Sequence, residues 1–581
     1  MPSLIRWLVL PALAWMLIGC HAGARSPEAP PALADLVRDY DREITPYNPF
    51  TASDMGLHEY DRLLANDIGA EYRSGMLAIC TRYRDALRRI DPTALAESQR
   101  VTHGIFAFRV ETCVEGYTFP WHLLPVNQVG SAWPSRFPIV GSGRGNHPFK
   151  TPRNYEDFLG RVDGFVVWMD TAVANMREGI ARGITQPRVL MERVLPQLDQ
   201  QIVDDPTTSL FWEPVKNFPA DFDASVRDAL TAQYRAAIAE KIVPAYRRLR
   251  AFIHDEYLPR CRTTSGFRDL PGGRAWYEYA VRVSTTTELT PEAVYDLGVS
   301  EVARIQRVIE TVQSELAAAR EPAPPRYRTI DDLLAGYARL RADVNEALPK
   351  LFGRFPRAGF EVRPIEAFRE RSMPSSYVAG SPDGSRLGVF YLNSGDLRRD
   401  GSAGVSRSLY LHEAVPGHHF QMSLQRENPS LPGFQRFGWF NAFGEGWALY
   451  AESLGSELGV YPQRADRLGM LFGELFRARR LVVDVGLHAK GWTPEQAMDY
   501  LGGRDPNNAR EVERYMAWPG QALGYKMGQL RIRALRNKVE AALGASFDVR
   551  AFHDEVLRDG ALPLTVLEAK MDRWLAAQPR R

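Results

Sequence analysis

The sequence predicts a mainly α-helical protein in which a small β-sheet sits beside one chemistry-bearing helix. Three observations predict it. Long stretches carry apolar residues at three- and four-residue steps between charged ones. One region between about Gly359 and Asp396 replaces that rhythm with short, turn-bounded runs. Directly after it, three of the eleven histidines fall between His412 and His419.

The chain opens with the features of an export signal over residues 1–19. Arg6 supplies a positive start, Trp7 to Ile18 is apolar, and Leu17-Ile18-Gly19-Cys20 closes the run with small residues before a cysteine. That run is too short to span a bilayer as a stable anchor. A cysteine at this point resembles the bacterial lipobox, which makes Cys20 the first mature residue and a lipidation site; an ordinary secretory signal with a chance cysteine is the alternative. Either way the protein leaves the cytoplasm. Lipidation places it on the envelope membrane facing the periplasm, and His21, standing where an aspartate would favour retention at the inner membrane, points to the outer one. Residues 20–32, with Pro27, Pro30 and Pro31 among small residues, read as a tether.

From about Leu33 the chain is long enough for one large or two medium domains. The expected organisation is a helical region over 33–352 walling a cleft and a region over 353–581 holding the chemistry, the two forming one continuous unit. Net charge is +2, from 72 basic and 70 acidic residues, with lysines scattered from Lys150 to Lys570. That balance argues against a nucleic-acid partner. Cys80, Cys113 and Cys261 have no C-x-x-C spacing and so form no structural zinc knuckle. A Cys80–Cys113 disulfide and three buried thiols both remain open.

Helical periodicity is clearest over Ser225 to Tyr257, Pro291 to Ala319 and Ile330 to Phe352. Thr290-Pro291-Glu292-Ala293 is a readable helix start, a threonine cap followed by proline at the first helical position. Phe360-Glu361-Val362-Arg363-Pro364 and Gly388-Val389-Phe390-Tyr391-Leu392-Asn393 read as strands, with turn chemistry at Pro382-Asp383-Gly384. A sheet edge beside the histidines would suit an extended substrate, with Tyr391 and Asn393 as candidate contacts.

The histidine cluster is His412-Glu413-Ala414-Val415-Pro416-Gly417-His418-His419. In the common zinc-hydrolase helix, H-E-x-x-H, two histidines one turn apart face a metal and the glutamate reaches its water. Here the fifth position is Pro416, so the ordinary spacing fails. On a regular helix His418 would point roughly 240° away from His412, and His419, nearly in phase, would sit roughly 10 Å further along. Pro416 removes a backbone donor and Gly417 permits unusual dihedrals, so the expectation is a local bulge that brings His418 round as second ligand. His419 is the fallback ligand, or otherwise an outer neighbour. A third ligand is offered by Phe443-Gly444-Glu445-Gly446-Trp447-Ala448-Leu449-Tyr450-Ala451-Glu452, where Glu445 and Glu452 share one helical face. Two carboxylates on an otherwise apolar helix are costly unless paired or metal-bound. Glu445 is the expected ligand and Glu452 the group that orients a histidine; the bland alternative pairs both with Arg477 or Arg479.

Gly444-Glu445-Gly446-Trp447-Ala448 resembles the segment carrying the glutamate ligand in gluzincin zinc aminopeptidases, and H-E-x-x-x-G-H is similar in kind to the lengthened motif of the dipeptidyl-peptidase-three family. The set His412 to Gln421, Glu445 to Glu452, Arg480 to His488 and Trp518 to Lys526, with Thr285 to Thr290 and the strand Gly388 to Asn393, resembles the bacterial family named domain of unknown function 885. That resemblance runs over nearly the whole mature chain, with Val485 where threonine is expected. It implies a mainly α, gluzincin-type zinc-peptidase-like fold and a zinc-dependent hydrolase acting on small peptides. Zinc would be held by His412, His418 and Glu445, with Glu413 moving the proton.

A donor for the developing oxyanion is then needed, and the resembling segments offer Tyr525 and His488, the latter one turn after Asp484, which could hold its tautomer. A structural histidine near a helix end is the competing reading of His488. Gln521, Tyr525 and Lys526 form a polar stripe, and Arg514 with Lys526 could neutralise a substrate carboxylate. Two other classes stay open: a degenerate lipoprotein serving as a binding or scaffold module, against which the intact Glu413 argues, and a zinc amidase or esterase, whose motif would look the same.

Overall fold

The structure is a computed structural model that describes residues 32–579 apart from 131, 146, 320, 366–373, 383 and 385. The expected signal over 1–19, the lipidation site Cys20 and all but the last residue of the tether lie outside the described residues.

Helices dominate, as the periodicity predicts. The run expected over Ser225 to Tyr257 is helical throughout, with α-helix at Ala224–Ala236 and Val243–Phe252 and π-helical turns at Ala237–Ile242 and Ile253–Tyr257. Helix α1, Pro291–Ala319, starts where the threonine-proline signal puts it, and Thr290 Oγ1 accepts a hydrogen bond from the Ala293 N–H at 3.2 Å. The helix expected to reach Phe352 ends earlier: Ile330–Ala347 is α-helical and Leu348–Lys350, which contains Pro349, tightens into a 3₁₀ turn.

The sheet is three-stranded. Strands β1 (Phe360–Pro364), β2 (Ser376–Val378) and β3 (Gly388–Leu392) pair with β3 central, parallel to β1 and antiparallel to β2. The short β2 carried no readable alternation in the sequence. Register places Val362 and Tyr377 opposite Phe390, so all three share the face turned toward the histidine segment. Phe390 packs there against Tyr410, ring centroids 6.5 Å apart. A separate two-stranded ribbon joins Arg326–Tyr327 to Ala403–Gly404.

Six further helices build the centre: α2 (Arg407–Glu413), α3 (His418–Arg426), α4 (Asn441–Ser453), α5 (Arg464–His488), α6 (Pro506–Ala517) and α7 (Gly524–Leu543). Helix α1 lies along α5, burying Val302, Ile305, Ile309 and Val312 with Leu471, Leu475 and Ala478. Helices α4 and α7 cross at Gly446 and Gly528; a Cβ on Gly446 would sit 2.3 Å from Gly528 Cα, so no larger residue allows this approach. One core cluster draws on both ends of the chain, from Leu33 and Tyr40 through Phe420 and Trp447 to Met571. Burying apolar area contributes roughly 25 cal/mol per Å², and the shared core ties the N-terminal helices to the helices that position the histidines.

Cys80 and Cys113 form a disulfide between helices Ala70–Leu87 and Glu97–Gly116, which decides between the two readings of the cysteines. Cys261 is free, its thiol pushed up to about 12 by burial. Among the described residues no helix is long and apolar enough to cross a membrane.

Candidate metal centre

The histidine segment does not bulge; it breaks. Helix α2 ends at Glu413, residues 414–417 form an irregular link with a cis Val415–Pro416 bond, and α3 begins at His418. Pro416 has no N–H to continue the ladder of α2. Gly417 is required for a different reason than loose dihedrals: a Cβ there would lie 1.9 Å from the His412 carbonyl oxygen and 2.3 Å from that of Leu411. Only glycine lets α3 begin folded against the end of α2. The indole Nε1–H of Trp447 donates to the Pro416 carbonyl at 2.8 Å and ties the link to α4.

The break puts His412 at the last turn of α2 and His418 at the first residue of α3, with ring centroids 4.9 Å apart and planes at 84°. Glu445 enters from α4, its Oε2 3.5 Å from His412 Nε2 and 3.3 Å from His418 Nε2. One ligand atom from each of the three lies within 4.8 Å of the others. Glu445 Oε2 is buried without a hydrogen-bond partner, a costly arrangement for a carboxylate oxygen unless something else engages it. Two imidazoles and a carboxylate are a donor set of the kind that holds catalytic zinc, so the residues present fit the ion. Burial pushes the Glu445 carboxyl up, but His418 and His412 hold it well below the usual range. Burial works against a proton on His412, yet Glu445 and Glu452 raise it to about 9.

Around this trio the structure sorts the remaining sequence candidates. Glu452 Oε1 is 2.9 Å from His412 Nδ1 and 3.5 Å from Arg477 Nη2, so the orienting role and the arginine pairing coexist. Glu413 is buried, its pKa raised by burial against the pull of His412 and His418. Tyr525 stacks its ring parallel to the His412 imidazole, centroids 6.3 Å apart at 12°. Its hydroxyl is pushed up by burial and by the charge of Glu445. Gln521 accepts from Arg514 Nη1 and donates to Asn441 Oδ1 at 3.2 Å.

Several expectations are corrected. His488 is fully buried away from the trio: its Nδ1 accepts from the Phe267 N–H, its Nε2 donates to the Tyr515 carbonyl at 2.9 Å, and burial pushes it down to about 3. It is a satisfied structural histidine. Asp484 does not hold its tautomer; it accepts from Tyr277 Oη at 2.6 Å and from the Gly520 N–H, and burial raises it to about 7. Lys526 faces inward but onto Glu474 at 2.6 Å and Glu301 at 3.0 Å, a buried ion cluster rather than a substrate contact. The His419 ring turns to the sheet, 2.9 Å from Tyr377 Oη and packed on Phe360, because α3 leaves the link with consecutive side chains diverging. Tyr391 lies on the sheet face opposite Phe390. Asn393 falls just beyond β3, where its Oδ1 accepts from the Gly395 N–H.

Sequence reasoning missed two neighbours of the trio, Arg480 and Trp439, and offered a third, Arg477, only as a pairing partner for the carboxylates. Arg477 touches Glu452 and acts on Glu413; Arg480 places its guanidinium 4.6 Å from the centre of the Tyr525 ring; and half-exposed Trp439 lies 5.8 Å from the His418 ring, its indole over Gly444. Arg477, Arg480, Asp484 and His488 recur at three- and four-residue steps on one face of α5, which was the available signal.

The model of the family described as "Bacterial protein of unknown function (DUF885)" matches residues 49–571. The chain belongs to the DUF885 family. A crystal structure from Colwellia psychrerythraea, of a protein provisionally described as a lipoprotein, is similar to this DUF885 chain with a TM-score of 0.84 and 26% identity, covering 94% of this chain and 99% of that one. Another solved structure, from Shewanella oneidensis, of a protein also provisionally described as a lipoprotein and of unknown function, aligns with a TM-score of 0.70 and 18% identity over 93% of this chain and 100% of that one. The latter is a likeness of fold. Comparison with curated proteins returns no match.

Proposed function

We propose that this DUF885 protein is a zinc-dependent hydrolase of the cell envelope, a metallopeptidase of gluzincin type acting on small peptides. The observation that carries the reading is that His412, His418 and Glu445 each bring one ligand atom within 4.8 Å of the others, Glu445 Oε2 standing 3.5 and 3.3 Å from the two Nε2 atoms, beside the buried Glu413. Bound there, zinc supplies Lewis-acid polarisation of an acyl carbonyl.

The chain's own residues account for the rest. Burial and a raised pKa suit Glu413 to take the proton of an attacking water and pass it to the leaving amine. Glu452 sets the orientation of His412 through Nδ1. Tyr525, stacked on His412, carries a hydroxyl that stays protonated at neutral pH and can donate to the developing oxyanion. Export and a lipid anchor at Cys20 follow from the lipobox-like sequence and agree with the description of the two neighbours; the outer membrane is the proposed destination.

The test is cleavage of a mixed peptide library by the mature protein with and without a chelator, alongside Glu413→Gln. The reading expects zinc-restorable cleavage by the wild type and none by the variant. Equal cleavage by Glu413→Gln would refute it.

A further inference from the structure

Beside the trio, on the Tyr525 side, lies an arrangement that the reaction so far leaves unused. Glu511 Oε2 accepts three hydrogen bonds, from Arg480 Nη2 at 3.0 Å, Arg514 Nη2 at 2.9 Å and Tyr515 Oη at 2.6 Å. Two guanidinium ions therefore share one carboxylate, and one positive charge of this group is left over. Arg480 spends Nε on Tyr515 Oη at 3.0 Å, and its Nη1 is buried with no hydrogen-bond partner in a side chain only 9% exposed. An unpaired buried guanidinium nitrogen is costly unless a ligand accepts from it. Arg514 is more open, its side chain 22% exposed.

The pair is held beside the reacting centre. Arg480 lies 4.6 Å from the centre of the Tyr525 ring, and that ring stacks on His412. Gln521 fixes Arg514 from one side and is itself tied to α4 through Asn441, whose Nδ2 donates to the Gln521 carbonyl at 2.7 Å. Surplus positive charge, a planar donor fork and proximity to the trio together define what would be recognised. A carboxylate accepts two parallel N–H bonds from such a fork.

We propose that Arg480 and Arg514 form a subsite for the free carboxylate of the substrate, so that the protein removes residues from the C-terminal end of short peptides. This deepens the hydrolase reading and rests on it. The subsite uses Arg480, which the sequence did not single out, in place of Lys526, whose charge is consumed by Glu301 and Glu474. Arg480 and Arg514 are binding residues; the proton chemistry stays with Glu413.

The experiment uses two random N-acetylated peptide libraries, identical except that one ends in a free carboxylate and the other in a carboxamide. Retention of each is measured by mass spectrometry on the zinc-loaded Glu413→Gln protein, which needs no turnover, and cleavage of each by the wild type. A lost charge-assisted contact corresponds to about tenfold or more in affinity. Free-acid peptides should be retained at least about tenfold better, and adding Arg514→Gln, in protein verified as folded by circular dichroism, should collapse that ratio toward one at unchanged zinc content. Equal retention of the two libraries, or retention of neither, overturns the subsite even if the wild type cleaves both. Preferential retention of free acids without cleavage of either library keeps the subsite and sinks the hydrolase reading instead.

Discussion

His412 Nδ1 sits 2.9 Å from Glu452 Oε1, a bond between the last turn of α2 and the end of α4 that leaves Nε2 facing Glu445. An imidazole that donates through one nitrogen presents the lone pair of the other to a metal, and the carboxylate behind it fixes both tautomer and ring direction. Replacing Glu452 by Gln should therefore weaken zinc binding about 10- to 100-fold. Competition against a calibrated chelator measures it; unchanged affinity would remove Glu452 from the account.

The link between α2 and α3 makes a second prediction. With a Cβ on Gly417 only 1.9 Å from the His412 carbonyl oxygen, Gly417→Ala must push the two helix ends apart. Strain of this kind costs about 3 kcal/mol or more, and it falls on the ligands themselves. The variant should melt lower and lose zinc; a variant with wild-type zinc content and melting temperature would contradict this description of the break.

Lys526 provides a contrast between structural and binding roles. Its ammonium joins Glu301 and Glu474 with no exposure of its own. Removing one partner of a buried ion cluster costs about 3–5 kcal/mol, so Lys526→Met should lower the urea midpoint strongly. Variant protein that remains folded should keep the KM of the proposed peptidase activity. A raised KM at unchanged stability would return Lys526 to the substrate.

Acid should destabilise the fold through His488. Burial depresses its pKa from 6.5 to about 3, so between those values the unfolded chain binds a proton that the folded one does not. The stabilising contribution is present above about pH 6.5 and is lost as pH falls, by about 2 kcal/mol at pH 5. His488→Gln removes the titrating ring. The stability gap between wild type and variant, from urea unfolding, should narrow by about that amount between pH 7 and pH 5; a gap independent of pH would contradict the assignment.

The helical class, the start of α1 and two of the three strands were legible because each rests on local pattern: period, cap and turn chemistry. Much of the centre was legible for the same reason. His412, His418 and Glu445 stand in two short segments, and the failed H-E-x-x-H spacing itself pointed to Pro416 and Gly417. What the sequence could not show was how the backbone would absorb the misfit, since a bulge and a break both begin with a proline. His488, Asp484 and Lys526 show the other limit. Each is a polar residue on an inward helix face, as read, but its partners are far away in sequence: Phe267 for His488, Tyr277 for Asp484, Glu301 for Lys526. Periodicity shows that a polar side chain turns inward and is silent on what it meets. Arg480 went unnoticed for the same reason, because its meaning comes from Glu511, Tyr515 and Tyr525.

The central claim is that His412, His418 and Glu445 hold one zinc ion, and elemental analysis of the purified mature protein tests it most directly. Wild type and Glu413→Gln should each carry one zinc per chain, whereas Glu445→Ala, verified as folded by its circular dichroism, should carry almost none. Wild-type protein that takes up no zinc, or Glu445→Ala that retains a full equivalent, would contradict it.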